Sequence, residues 1–115
     1  MKTIDRLLER DNNIEISLVS DNIKDLFWVI YDLFDNTIYA QGAFQPPENE
    51  ERFGLTLDPG VYQLVCSCHR EASPSSIQVE VTNLATGTTN SSSAADDGLS
   101  VYTAKRPFVI PGDEA

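Results

Sequence analysis

The segment CSCH contains three side chains of types that bind metals, Cys66, Cys68 and His69. Thiolates and imidazole bind zinc, but a structural zinc site takes about four such ligands, and the chain has 2 Cys and 1 His. Side chains alternate along a strand, so both thiols share one face and His69 lies on the other. Cysteines this close on one face are also poorly placed for a disulfide. We therefore predict free buried thiols and no metal site.

Acidic side chains are the second candidate chemistry. The chain has 18 Asp and Glu against 8 Lys and Arg, a net charge of −10. The acids cluster as Asp21 with Asp25, Asp32 with Asp35, Glu48 with Glu50 and Glu51, and Asp96 with Asp97. Calcium takes roughly six to eight oxygen ligands, which loops can supply, but no EF-hand-like spacing occurs. Solvated loop charge is the favoured interpretation, and calcium binding is kept as an alternative.

Motifs for catalysis are missing from the sequence. It contains neither G-x-S-x-G nor a glycine-rich phosphate loop, and its single His neighbours Cys68 but points the opposite way in a strand. A pair of carboxylates for hydrolysis is defined by a distance that the sequence does not give. We predict a protein that is not an enzyme, with no catalytic residue and no cofactor.

The net charge and the lengths of the apolar runs argue against two kinds of partner, nucleic acids and membranes. An acidic surface repels phosphate, so direct nucleic-acid binding is not expected. No apolar run approaches the roughly 20 residues that span a bilayer, so no membrane partner is expected. Residues 1–13 carry charges throughout and lack the apolar centre of a secretory signal. We expect synthesis in the cytoplasm without a signal peptide, with a virion as one destination.

Short strands are predicted to position these residues. Apolar residues alternate with polar ones on both sides of Asp58-Pro59-Gly60, a turn sequence, so residues 53–68 predict a β-hairpin. The pattern L-x-P-G-x-Y-x-L across this turn is typical of β-sandwich modules in general. Alternation also predicts strands over residues 14–18 and 77–82, and further strands are predicted over residues 37–44 and 99–104.

Residues 27–34 differ from the other runs because they are apolar on both faces. Such a strand is usually central, or covered on its outer side by a helix or a partner. Trp28, Phe27 and Tyr31 are assigned to core packing in preference to a sugar-binding platform, since large aromatic side chains bury most of their area.

The pattern as a whole predicts one all-β domain over residues 1–115. We expect an antiparallel β-sandwich of about seven to eight strands, of jelly-roll or immunoglobulin-like type, with one short N-terminal helix. Residues 1–13 contain this helix or arm. Residues 83–98 are small and polar and predict a flexible loop. Residues 105–115, with an apolar triplet between two prolines, predict an edge strand or a C-terminal arm.

Short apolar elements lie near both ends, and each is too short to be stable alone, so each must be buried either on a neighbouring molecule or on the chain's own sandwich. The candidate interface residues are Ile4, Leu7, Leu8, Phe108, Val109 and Ile110. The leading hypothesis is a non-enzymatic structural protein that joins a protein partner or copies of itself, for example as a decoration, cement or accessory protein of a phage-like particle. The alternatives are a carbohydrate- or protein-binding β-sandwich module, with or without calcium, and an acidic inhibitor that mimics nucleic acid.

Overall fold

The computed structural model describes residues 12–112 and folds them into two four-stranded antiparallel sheets. The strands are β1 (Ile14–Asp21), β2 (Ile23–Asp32), β3 (Ile38–Phe44), β4 (Glu50–Leu55), β5 (Gly60–Arg70), β6 (Ser76–Asn83), β7 (Thr89–Ala95) and β8 (Val101–Ile110). The first sheet has the order β4-β1-β6-β7 and the second β3-β2-β5-β8. The predicted antiparallel β-sandwich is confirmed, and the predicted N-terminal helix lies outside the described residues. Within residues 12–112 no helix could cross a membrane.

Alternation along the strands builds the core between the two sheets. Each strand turns every second side chain inward, and the innermost positions are almost fully buried. They include Ile14, Ile16, Leu18, Leu26, Ile30, Leu64, Cys66, Ile77 and Val79. Because burying one large aliphatic side chain stabilises a fold by about 1.5–3 kcal/mol, this shared interior is what joins the two sheets.

The predicted hairpin over residues 53–68 is wrong. β4 pairs with β1 in the first sheet, whereas β5 pairs with β2 and β8 in the second, so residues 58–60 cross from one sheet to the other. Alternation identifies the buried face of a strand but not its neighbour. The side chain of Asn13 stabilises the crossing, because its Nδ2 donates to the Leu57 carbonyl at 2.8 Å and its Oδ1 accepts from the Leu57 amide at 3.1 Å.

The flexible loop predicted for residues 83–98 is also wrong. Its middle forms β7, which pairs with β6 from Thr89 opposite Thr82 to Ala95 opposite Ser76. β7 is an edge strand, so its small side chains need to cover only part of one core face, and the ladder supplies backbone hydrogen bonds on one side. The hydroxyls of Thr82 and Thr89 add a cross-strand hydrogen bond at 2.8 Å.

Residues 105–110 form the second half of β8, so the edge-strand prediction is confirmed and the alternative of an arm is wrong. β8 pairs with β5 along its whole length, and Pro107 is tolerated because an edge strand uses only half of its backbone donors. Phe108 and Ile110 are buried in the chain's own core, where Phe108 stacks on Tyr62 with ring centroids 5.6 Å apart. Of this triplet only Val109 is exposed, at 61%.

Side chains bridge the two long sides of the sandwich. Along one side, Nη1 of Arg106 on β8 donates to the carbonyl of Ser91 on β7 at 3.2 Å. Along the other, the Trp28 indole reaches from β2 toward β4. It stacks on Phe53 with centroids 4.5 Å apart, and its Nε1 donates to Oε1 of Glu51 at 3.1 Å.

Candidate functional site

The Cys66-Ser67-Cys68-His69 segment divides between the two faces of β5. Both thiols are free and buried, as predicted. Burial raises the pKa of Cys66 to about 12 and also raises the pKa of Cys68. His69 is exposed on the outer face, with its Nδ1 2.7 Å from Oδ1 of Asp25. The thiols and the imidazole therefore cannot bind one ion, and among residues 12–112 no three acidic, His or Cys side chains form a metal-binding group.

Asp96 departs from the prediction of solvated loop charge, because it is buried and 5% exposed. Its carboxylate accepts hydrogen bonds from the amides of Gly98 and Ser75, both at 2.7 Å, and from the Ser73 hydroxyl at 3.0 Å. The Gly98 amide is the largest cause that lowers the pKa of Asp96. Asp96 thus joins two loops at one end of the sandwich and serves the fold.

Asp32 and Asp35 shape the turn between β2 and β3. Oδ1 of Asp32 accepts from the amides of Phe34 and Asp35 at 2.7 and 3.1 Å. Oδ1 of Asp35 accepts from the Thr37 amide at 2.9 Å, and this hydrogen bond is the main reason that the pKa of Asp35 is lowered. Both carboxylates therefore have a local structural role as side chains that cap backbone amides.

The outer face of the second sheet has apolar side chains on all four strands, interspersed with polar ones such as Gln63, Ser67 and Thr103. Directly paired residues of a ladder point to the same side, so the register places the outward residues of β3, β2, β5 and β8 on one surface. We call this surface the apolar face, and its members are Phe27, Val29, Tyr31, Ile38, Val61, Val65, Val101 and Val109. Four of them are large and well exposed, with Phe27 and Val101 at 49%, Ile38 at 56% and Val109 at 61%.

Charge separates this face from the outer face of the first sheet. At its paired outward positions the apolar face has only Asp25, which is hydrogen-bonded to His69, and Lys105 as charged side chains. The outward positions of the first sheet instead have Glu15, Asp21, Glu50, Arg52 and Glu80. The outer surface of the first sheet is therefore charged, whereas that of the second sheet has few charges.

The apolar character of both faces of residues 27–34 predicts the part of this surface that lies on β2. β2 lies between β3 and β5, so the predicted central position is confirmed, and Trp28 is buried as predicted. The assignment of Phe27 and Tyr31 to the core is wrong, because both side chains face outward. The valines of β5 and β8 were missed, since alternation with Gln63, Ser67 and Thr103 resembles an ordinary solvent-facing pattern.

Edge strand β3 lies beside a second surface feature. β3 contains no charged residue, and its Ile38 and Tyr39 are about half exposed. At its C-terminal end an open pocket of about 530 Å³ has acidic side chains around an apolar floor. We call it the acidic pocket, and it is lined by Asp25, Ala43, Phe44, Gln45, Glu48, Glu50 and Glu51.

The candidate interface residues of the sequence analysis are not brought together. Phe108 and Ile110 are in the core, Val109 lies on the apolar face, and Ile4, Leu7 and Leu8 lie outside the described residues. Comparison with protein-family models, with curated proteins and with solved structures found no match to this chain. Fold and surface together define its class as a small acidic β-sandwich with one apolar outer face.

Proposed function

We propose that this is a non-enzymatic assembly protein whose apolar face packs against the same face of a second copy. The observation that supports the proposal is that four large exposed apolar side chains, Phe27, Ile38, Val101 and Val109, are distributed over one sheet surface with few charges. Single exposed apolar residues are ordinary, but several large ones on one surface that has few charges favour an interaction site.

The area of the face is sufficient for a dimer. Strands lie about 4.8 Å apart and rise about 3.4 Å per residue, so four strands of roughly ten residues cover roughly 600 Å². Two such faces would bury roughly 1,200 Å², above the roughly 1,000 Å² that a specific interface needs. A two-fold axis brings one patch against itself, so the same surface serves both copies.

Charge favours this face over the other surfaces for self-association. Each copy has a net charge of −10, and like charges brought together across an interface cost free energy. A dimer that forms through the apolar face keeps most carboxylates of both copies outside the interface. The narrower role predicted from the sequence, a decoration, cement or accessory protein of a phage-like particle, stays a prediction within this proposal.

Sedimentation velocity over a hundredfold range of concentration tests the proposal. We expect the full chain to form dimers and Phe27→Lys to weaken the dimer at least tenfold, because a buried unpaired charge is costly. Val19→Lys is the matched control, since Val19 is 42% exposed on the outer face of the first sheet. A chain that remains monomeric, or equal effects of both variants, would contradict the proposal.

A deletion of residues 1–11 completes this test. If the full chain is monomeric and only the shortened chain dimerises, the apolar face is covered by the chain's own N-terminal segment. That result would contradict an assembly role for the face. We expect instead that both chains dimerise.

A further inference from the structure

The unprotected edge of the second sheet is β3. An edge strand presents a row of unpaired amides and carbonyls, and proteins usually guard it with charged residues or proline. β4 contains Glu50, Glu51 and Arg52, and β8 contains Lys105, Arg106 and Pro107. β7 is uncharged but is bridged to β8 through Arg106 and Ser91. β3, with the sequence IYAQGAF, has neither a charged residue nor a proline, and its one irregularity is the register shift at Tyr39, which leaves residues 40–44 as a regular edge.

The backbone of β3 is suited to receive another strand. It pairs regularly with β2 from Leu26 opposite Phe44 to Ile30 opposite Ala40, and after the register shift at Tyr39 it pairs again at Ile38 opposite Tyr31; this ladder uses one set of its backbone groups. In an antiparallel ladder the alternate set points away from the neighbour, toward the open side. An extended peptide that pairs with this set extends the sheet by one strand, a common mode of peptide recognition.

Acidic groups flank this edge at both ends. The acidic pocket lies at the Phe44 end, where the side chains of Glu48 and Glu50 have no hydrogen bond or ion pair with any residue that the structure describes. At the Ile38 end lies the turn that contains Asp32 and Asp35. The edge therefore combines an uncharged middle with negative charge at each end.

This distribution of charge excludes a second copy as the best partner for the edge. Two copies of β3 paired antiparallel would place the acidic pocket of one beside the Asp32 and Asp35 turn of the other. Like charges opposed in this way are destabilising. A strand with Lys or Arg at its ends would instead find opposite charges at both.

We propose that β3 binds an extended segment of a different protein, with an uncharged alternating middle and basic residues at both ends. The segment adds a strand to the β3-β2-β5-β8 sheet, and one of its basic ends lies in the acidic pocket. This goes beyond the proposed self-association, because a dimer formed through the apolar face leaves the outward-pointing backbone groups of β3 unpaired. Of the pocket lining, only Asp25 and Ala43 occupy outward positions of that sheet.

Titration with two synthetic peptides tests the inference. The first has alternating threonine and valine over the length of β3, with lysine at both ends, and the second has glutamate in place of each lysine. Trp28 is the single tryptophan of the chain. Its indole donates a hydrogen bond to Glu51, which lines the pocket, so a change in tryptophan fluorescence reports peptide binding there. We expect the basic peptide to bind at least tenfold more tightly than the acidic one.

Variants and hydrogen exchange locate the binding site. Glu48→Gln with Glu50→Gln should weaken the affinity for the basic peptide severalfold. The matched control, Glu15→Gln with Glu80→Gln on the outer face of the first sheet, should leave this affinity unchanged.

Hydrogen exchange gives the position of the bound peptide. The peptide should slow the exchange of alternate β3 amides at least tenfold and leave the exchange of β4 and β7 amides unchanged. No binding, equal binding of both peptides, or protection at another edge would overturn the inference. The dimer would be unaffected by any of these results, so the two proposals fail separately.

Discussion

At the scale of single residues, the side chains with the most obvious chemistry serve the fold. Cys66 and Cys68 lie in the core with a raised pKa, and the thiolate is the reactive form of cysteine. We predict that the native protein reacts with Ellman's reagent at pH 8 at least a hundredfold more slowly than the protein unfolded in denaturant. Reaction of either thiol in the native protein at the rate of an exposed cysteine would contradict their placement.

Asp96 makes stability depend on pH. Its folded pKa is below its ordinary value of 3.8, so the folded state binds fewer protons than the unfolded state in acid. The contribution of this carboxylate is therefore complete above pH 3.8 and is lost as the pH falls through the folded pKa. We predict that Asp96→Asn lowers the Tm at pH 7 and that its difference from the native chain shrinks toward pH 3.

The exposed neighbour Asp97 supplies the control for this prediction. Asp97 has a φ of 48°, a left-handed conformation that asparagine tolerates well. Asp97→Asn should leave both the Tm and its pH dependence close to those of the native chain. A constant Tm difference for Asp96→Asn at all pH values would show that its charge is not the cause.

At the scale of elements, Gly42 lets the Trp28 indole of β2 lie directly against the backbone of β3. A Cβ atom at this position would lie 2.7 Å from the Trp28 ring, closer than any real contact. We predict that Gly42→Ala destabilises the protein by about 1–3 kcal/mol, the usual cost of overpacking, as measured by urea unfolding. Ala43→Val, which adds bulk at the neighbouring exposed position, is the control. Equal stability of Gly42→Ala and the native chain would show that β3 is not held against the indole.

Alternation in the sequence predicted the strands better than their connections. The buried faces of β1, β5 and β6 follow directly from spacing two, because only one face of each strand meets the core. The crossing at residues 58–60 could not be predicted, since a tight turn and a short inter-sheet link use the same Pro and Gly chemistry. β7 escaped prediction because Thr89–Ala95 contains no large apolar residue and gains its order from pairing with β6.

At the scale of the whole molecule, the outer faces of the two sheets differ in charge. The first sheet has charged side chains outward, which favour solubility. The second has an apolar outer face and an unprotected edge. The sequence showed the two-sided apolar character of residues 27–34, but the extent of the face depends on which strands lie beside β2, and that is a property of the topology.

The apolar face is the proposed surface through which copies of this chain assemble. Methyl NMR with a soluble paramagnetic agent measures this directly, since it broadens the signals of methyl groups that solvent reaches. At concentrations where the dimer dominates, we predict that the methyl groups of Val65 and Val109 are protected and that those of Val19 are broadened, with protection lost on dilution. Protection of Val19 with Val109 fully broadened, or no change with concentration, would contradict the account.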